Sequence, residues 1–251
     1  MIGRDAMTVN HGMVFKVYGW LESLHWAAFP ARCALCGAAG LTRREICRGC
    51  RDDLPWQQQA CDRCGERLPG AGGPGAPVCG RCRRRPPPFD RTRAVFAYEA
   101  PVSHLLREFK FRGRLPNGRL LGDLMAGALA AHTGPLPDRV VPVPLHPARQ
   151  RRRGFNQAME LARPVADRLG VPLAPSLCRR VRNTMPQSEL GGSQRRGNVR
   201  RAFAVTAPAP PHVAIVDDVM TSTSTAAALA SSLRRAGARR IEVWVCARAS
   251  G

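Results

Sequence analysis

The sequence predicts an α/β protein: a doubly wound, mostly parallel sheet preceded by a small cysteine-rich module. Three observations predict it. Short apolar runs alternate with helix-length segments from residue 93 onward, the pattern of parallel strands joined by crossover helices. One run, Val213-Ala214-Ile215-Val216, ends in two adjacent acids and a hydroxyl-rich loop that leads into a helix. Eight cysteines stand as four C-x-x-C pairs between residues 33 and 82.

Taken in order, residues 1–30 read as a tail and a short amphipathic helix over 14–29, with Val17, Leu21, Leu24 and Ala28 on one side. Pro30 ends it. Residues 31–85 carry the pairs Cys33/Cys36, Cys47/Cys50, Cys61/Cys64 and Cys79/Cys82. A C-x-x-C turn aims two thiolates at one ion, and two such turns make a tetrahedral sulfur site of the kind zinc prefers. Sequential pairing closes the shortest loops, giving one site from Cys33, Cys36, Cys47 and Cys50 and another from Cys61, Cys64, Cys79 and Cys82. A cross-braced arrangement, first pair with third, stays open. Four thiolates fill each ion's coordination, so the sites are structural. Few apolar residues surround them, and metal rather than a core holds such a segment together.

Residues 86–92 follow an Arg-Arg-Arg run and open with three prolines, a stiff linker. In the second domain, 93–251, strands are expected over 93–98, 139–145, 213–216 and 240–246, with shorter ones over 173–179 and 202–205. Helices are expected over 102–109, 118–132, 224–236 and in a segment reaching Gly170, kinked at Pro164. Residues 182–200, basic and rich in small residues, read as a mobile loop.

The formal charge is +21, and of 39 basic residues all but Lys16 and Lys110 are arginine. Two zinc ions on eight thiolates would bring the charge to about +17. Between 147 and 201 thirteen arginines stand against three acids. That excess points to an anionic ligand, either phosphate-bearing or nucleic acid. No 18-residue apolar run and no secretory signal are present, so a cytoplasmic protein with reduced cysteines is expected.

The stretch after Val216 concentrates the chemistry. A parallel strand that ends in Asp217 and Asp218 presents both acids at the carboxyl edge of the sheet, where open α/β sheets bind ligands. The loop Thr221-Ser222-Thr223-Ser224-Thr225 then opens a helix, whose free N–H groups suit an anion.

With its preceding strand, Asp217-Asp218-x-x-Thr221-Ser222-Thr223-Ser224-Thr225 resembles the phosphoribosyl pyrophosphate (PRPP) motif of type I phosphoribosyltransferases. Further motifs are Lys110-Phe111-x-Gly113, Val141-Pro142-Val143-Pro144, Arg153-Gly154-Phe155-Asn156-Gln157, Arg182-x-Thr184-x-x-Gln187 and Arg195-x-x-Asn198-x-x-x-Ala202-Phe203. Together with the double zinc ribbon they resemble the ComF family over about residues 20–248. The resemblance implies a cytoplasmic protein of DNA uptake in natural transformation, with a phosphoribosyltransferase-type sheet behind a double zinc ribbon. It implies that Asp217 and Asp218 bind the ribose hydroxyls of PRPP, with Mg²⁺ nearby. Val219, Met220 and Thr221 to Thr225 would wrap the 5′-phosphate, and Pro144 and Leu145 would contact pyrophosphate. One departure is Thr223, where the motif usually has glycine for close approach and positive φ.

The reaction such a site serves is displacement at the anomeric carbon, with charge building on the leaving pyrophosphate. Arg153 and Arg195, with the acid pair, are the candidate catalytic residues, and Arg182 is a weaker one. Two further partners are considered. Single-stranded DNA could follow the Arg-rich segment, with Phe155 beside it, and another competence protein could dock on the zinc module.

Overall fold

The structure is a computed structural model that describes residues 30–68, 70, 77–131, 134–182 and 202–250. The expected helix over 14–29 and residues 183–200 of the loop expected over 182–200 lie outside the described residues. Contacts divide the chain into two compact units between Asp53 and Leu54. Cys33, Cys36, Cys47 and Cys50 belong to the first unit. The second cysteine group belongs to the larger unit with the sheet, although the change in composition comes later, at the Arg- and Pro-rich stretch.

In the smaller unit, Gly37 takes φ +74 where the first knuckle turns. The short helix α1 (Arg48–Asp52) starts at Cys47, whose sulfur accepts from the Cys50 N–H at 3.4 Å.

The larger unit runs α2 (Gly80–Arg84), β1 (Arg91–Ala97), α3 (Val102–Arg112), α4 (Leu115–Ala130), β2 (Arg139–Pro142), α5 (Pro147–Arg153), α6 (Gln157–Leu169), β3 (Cys178–Arg180), β4 (Phe203–Val205), β5 (His212–Met220), α7 (Ser224–Arg235) and β6 (Arg240–Arg248). Four strands form an all-parallel sheet in the order β1-β6-β5-β2. The central strands are apolar on both faces because both are covered. On one face Val213, Ile215, Ile241, Val243 and Val245 share a core with Leu229 and Leu233 of α7. Ala214 and Val216 alternate with Val213 and Ile215 in sequence and, like Val140 of β2, are equally buried. Helices α4 and α6 pack on each other and reach the sheet, α6 at β2 and β5, α4 at β1 and β6. Their approach needs Gly122, where a Cβ would come within 2.6 Å of the Pro164 ring.

Three expectations are corrected. The segments expected as strands at 173–179 and 202–205 do not enter the main sheet. Cys178–Arg180 and Phe203–Val205 pair antiparallel as a separate ribbon, and Leu173 makes only an isolated bridge to Val140. The strand expected over 139–145 stops at Pro142, the first of two closely spaced prolines that supply no N–H to a ladder. Strand β5 runs past Val216 through both acids to Met220, paired with β6 as far as Arg248. Pro164 sits inside a single helix, α6.

Candidate functional site

Strand β5 delivers the acid pair. Each carboxylate accepts the next backbone N–H: Asp217 from Asp218 at 2.9 Å, and Asp218 from Val219 at 2.8 Å. Asp218 is buried and Asp217 half-buried. Two carboxylates this close in a desolvated place cannot ionise independently. Burial, then the Asp218 charge, pushes Asp217 up to about 7. Burial acts on Asp218 in the same direction, but Lys110 overcomes it and holds that carboxyl below the usual range.

Lys110 comes from the last turn of α3 and places its Nζ 2.9 Å from Asp218 Oδ2. The Asp218 charge in turn raises the Lys110 ammonium against its own desolvation. Gly113, at φ +67, ends α3 with its N–H on Glu108 O, which fixes where Lys110 lies. The lysine was not singled out from sequence as a ligand-site residue, though a signal exists. In a chain that meets nearly every need for a cation with arginine, a lysine kept at one point marks a compact charge.

Arginines gather around the acids. Arg153 feels the Asp218 charge and those of Arg149 and Arg152, although burial does most to weaken its protonation. Arg180 of β3 is likewise desolvated, and feels both Arg149 and Asp217. The motif around Arg153 has a local logic. Gly154 at φ +83 ends α5, Phe155 packs on Phe109 at 5.2 Å between centroids, and Asn156 caps α6 through the Ala158 N–H. Asn156 also donates to Val143 O, and Gln157 accepts from Arg153 at 2.8 Å. Phe155 is thus partly taken up by packing. Among the described residues, the aromatic ring that faces solvent is Phe111, 71 % exposed, with the Arg153 guanidinium 5.9 Å from its centroid.

The hydroxyl loop follows directly. Ser222 and Ser224 bond through their hydroxyls at 3.1 Å, and α7 starts at Ser224 with no side-chain cap on its first turn. Thr223 has φ −75, an ordinary value for any residue, so the backbone here does not require the usual glycine. Met220 is turned into the core. Pro144 and Leu145 line a cavity of about 690 Å³ with His146, Gln150, Arg179 and Arg180 among its walls. His146 caps α5, its Nδ1 accepting from the Ala148 N–H at 3.3 Å. Arg182 is exposed, and Arg195 lies outside the described residues.

The cysteines assemble sequentially. Sulfurs of Cys33, Cys36, Cys47 and Cys50, and separately of Cys61, Cys64, Cys79 and Cys82, lie within 4.8 Å of one another. Cys36 and Cys47 are 3.7 Å apart, and Cys64 and Cys79 3.8 Å, the span of sulfurs around one tetrahedral ion. Both groups fit zinc. Among the described residues no helix is long and apolar enough to cross a membrane.

Comparison with known proteins agrees. A double zinc ribbon family model matches residues 24–83. The DNA utilization protein YhgH of Salmonella typhi is 39 % identical over 225 residues, spanning 87 % of this chain and 97 % of that one. Competence protein F of Haemophilus influenzae is 34 % identical over 230 residues, 88 % of this chain and 98 % of that one. Among solved structures, the glutamine PRPP amidotransferase of B. subtilis is 18 % identical, with a TM-score of 0.39 over 56 % of this chain and 30 % of that one. With relatives this similar over nearly their whole length, the chain belongs to the family of competence protein F and the YhgH DNA utilization proteins.

Proposed function

We propose that the larger unit binds PRPP at the carboxyl edge of β5, in the service of DNA uptake or use. One observation carries this reading: an acid pair, followed by a hydroxyl loop and a helix N-terminus, stands among more cations than it can neutralise. Lys110 pairs with Asp218, Arg153 feels the charge of Asp218 and Arg180 that of Asp217, and both arginines feel Arg149. Cations held near one another beside two acids suit a ligand that carries both hydroxyls and several negative charges.

In this reading Asp217 and Asp218 accept from the ribose hydroxyls. Thr221 to Thr225 and the first turn of α7 hold the 5′-phosphate through N–H and O–H groups. Pro144 and Leu145 face the pyrophosphate, which Arg153 and Arg180 neutralise as its bond to the anomeric carbon breaks and an acceptor takes its place. The carboxylate oxygens are donors of the kind magnesium takes, and the ion would add positive charge at the pyrophosphate. Calorimetry with PRPP and Mg²⁺ tests the reading. Binding is expected in the wild type, with a loss of at least about tenfold in Asp218→Asn, a charged hydrogen-bond acceptor being worth about 1.5–3 kcal/mol. No heat in the wild type would end it.

A second reading has a specific observation behind it. Phe111 offers an open aromatic face beside Arg153, and Arg107, Arg112 and His104 line a hollow of about 350 Å³ with it. Bases of single-stranded DNA stack on such faces while phosphates meet the arginines. Oligonucleotide affinity should then fall steeply as salt rises, and a flat dependence would exclude it.

A further inference from the structure

One side chain joins the second cysteine cluster to the phosphate loop. Arg248, the last residue of β6, is 3 % exposed. Its Nε donates to the carbonyl of Cys64, itself one of the four clustered thiols, at 3.1 Å. Its Nη2 meets the carboxylate of Glu66, two residues further along the same knuckle. On the other side Nη1 donates to Met220 O at 3.0 Å and Thr221 O at 3.1 Å, and it also meets Ala249 O. Met220 ends β5 and Thr221 begins the hydroxyl loop. A planar guanidinium thus spans the metal knuckle and the first residue that would receive a phosphate.

The surroundings hold both ends. The knuckle is bound to β1: Asp62 pairs with Arg91 at 2.8 Å, and Thr92 Oγ1 donates to Arg63 O at 2.7 Å. Gly65, at φ +68, leaves no room for a Cβ against Thr92. On the loop side, the Ala249 N–H returns to Met220 O at 3.1 Å. If the knuckle shifts, the Cys64 carbonyl and the Glu66 carboxylate shift with it. A buried guanidinium cannot abandon those acceptors without large cost, so it moves or turns. Its other partners are the carbonyls that shape the loop's first turn. A hydrophobic side chain could fill this place, but it could not tie the knuckle, the end of β5 and the start of the hydroxyl loop to one rigid plane.

We propose that Arg248 is a positioning residue that couples the second zinc centre to the phosphate loop. Metal at Cys61, Cys64, Cys79 and Cys82 then favours the loop geometry that takes the sugar phosphate, and the bound ligand in turn secures that metal. The ligand half of this statement rests on the PRPP reading; the link between metal and loop does not.

The test uses the full two-zinc protein. Because coupling is reciprocal, PRPP with Mg²⁺ should slow chelator-driven release of one zinc ion about fivefold or more and leave the other unchanged. The unaffected ion serves as an internal control. Arg248→Lys and Glu66→Gln should remove that protection and lower PRPP affinity about tenfold, while two zinc ions per chain remain bound. Amide hydrogen exchange across residues 219–226 supplies a readout that needs no ligand. It should quicken in both variants, and in wild type after loss of the zinc at the second centre.

Unchanged exchange in both variants would overturn the proposal, as would ligand that binds but slows both ions equally or neither. Absence of PRPP binding in the wild type would defeat the PRPP reading alone, and the exchange data would still decide the link. Should Arg248→Lys fail to fold, Glu66→Gln, which keeps the guanidinium, carries the comparison.

Discussion

At the scale of single residues, Lys110 and Asp217 do opposite things to the same acid pair. Lys110 makes Asp218 affordable inside the protein, since a buried carboxylate without a partner is strongly destabilising. Lys110→Met should therefore cost about 2 kcal/mol or more in thermal or denaturant unfolding. Lys110→Arg should recover much of that stability but not PRPP binding, because a planar fork does not occupy the place of a compact ammonium. Asp217 is the reverse case. Its carboxyl is pushed up to about 7, whereas in the unfolded chain it titrates near 3.8. The stability this group contributes is complete below the lower value and is lost as pH rises through about 7. Asp217→Asn should thus raise Tm at pH 8 by about 4 °C or more, less at pH 5, while weakening PRPP binding. A melting curve that gains nothing at pH 8 would show that the acid is not held under strain.

At the scale of elements, α3 and β5 explain why neighbouring residues serve different ends. Helix α3 turns Lys110 toward the acids and leaves the next residue, Phe111, in solvent. Phe111→Ala should leave melting within about 0.5 kcal/mol of wild type, as exposed substitutions do. PRPP binding should hold as well, while oligonucleotide affinity falls about fivefold or more, the loss of one stacked base. Equal oligonucleotide binding would remove Phe111 from any nucleic-acid surface. Strand β5 shows how sequence sets a site and neighbours extend it. Its apolar run ends at Val216, yet pairing with β6 carries the strand through both acids, because an adjacent strand continues to offer partners. The ribbon of β3 and β4 was less legible. Its strands are three residues each, too short for periodicity to speak, and their partners lie across the intervening segment.

At the scale of the molecule, the two cysteine clusters sit in different compact units and should behave differently. Metal analysis is expected to find two zinc ions per chain. Cys36→Ser should lower this to one and leave the main melting transition within about 0.5 kcal/mol of wild type. Cys64→Ser should also lower it to one, but should destabilise the larger unit by about 2 kcal/mol or more, because its knuckle is bonded to β1 and to Arg248. Equal effects on melting would mean that the second cluster contributes no more to the larger unit than the first.

The sequence by itself determined what can be counted along the chain. Four C-x-x-C pairs specify two sulfur sites, and an apolar run closed by two acids and a hydroxyl-rich stretch specifies a parallel strand that runs into a loop and a helix. These are local arrangements, set by turn chemistry and spacing. The tertiary structure alone decided what depends on meetings between distant segments: Lys110 as the counter-ion of Asp218, Phe111 rather than Phe155 as the open ring, Thr223 in an ordinary backbone conformation, and Arg248 between knuckle and loop. Cys64 and Arg248 stand 184 positions apart, and no pattern along the chain records that their groups share one plane of hydrogen bonds. The physical reason is that a buried charge takes its identity from its partners, and packing chooses the partners.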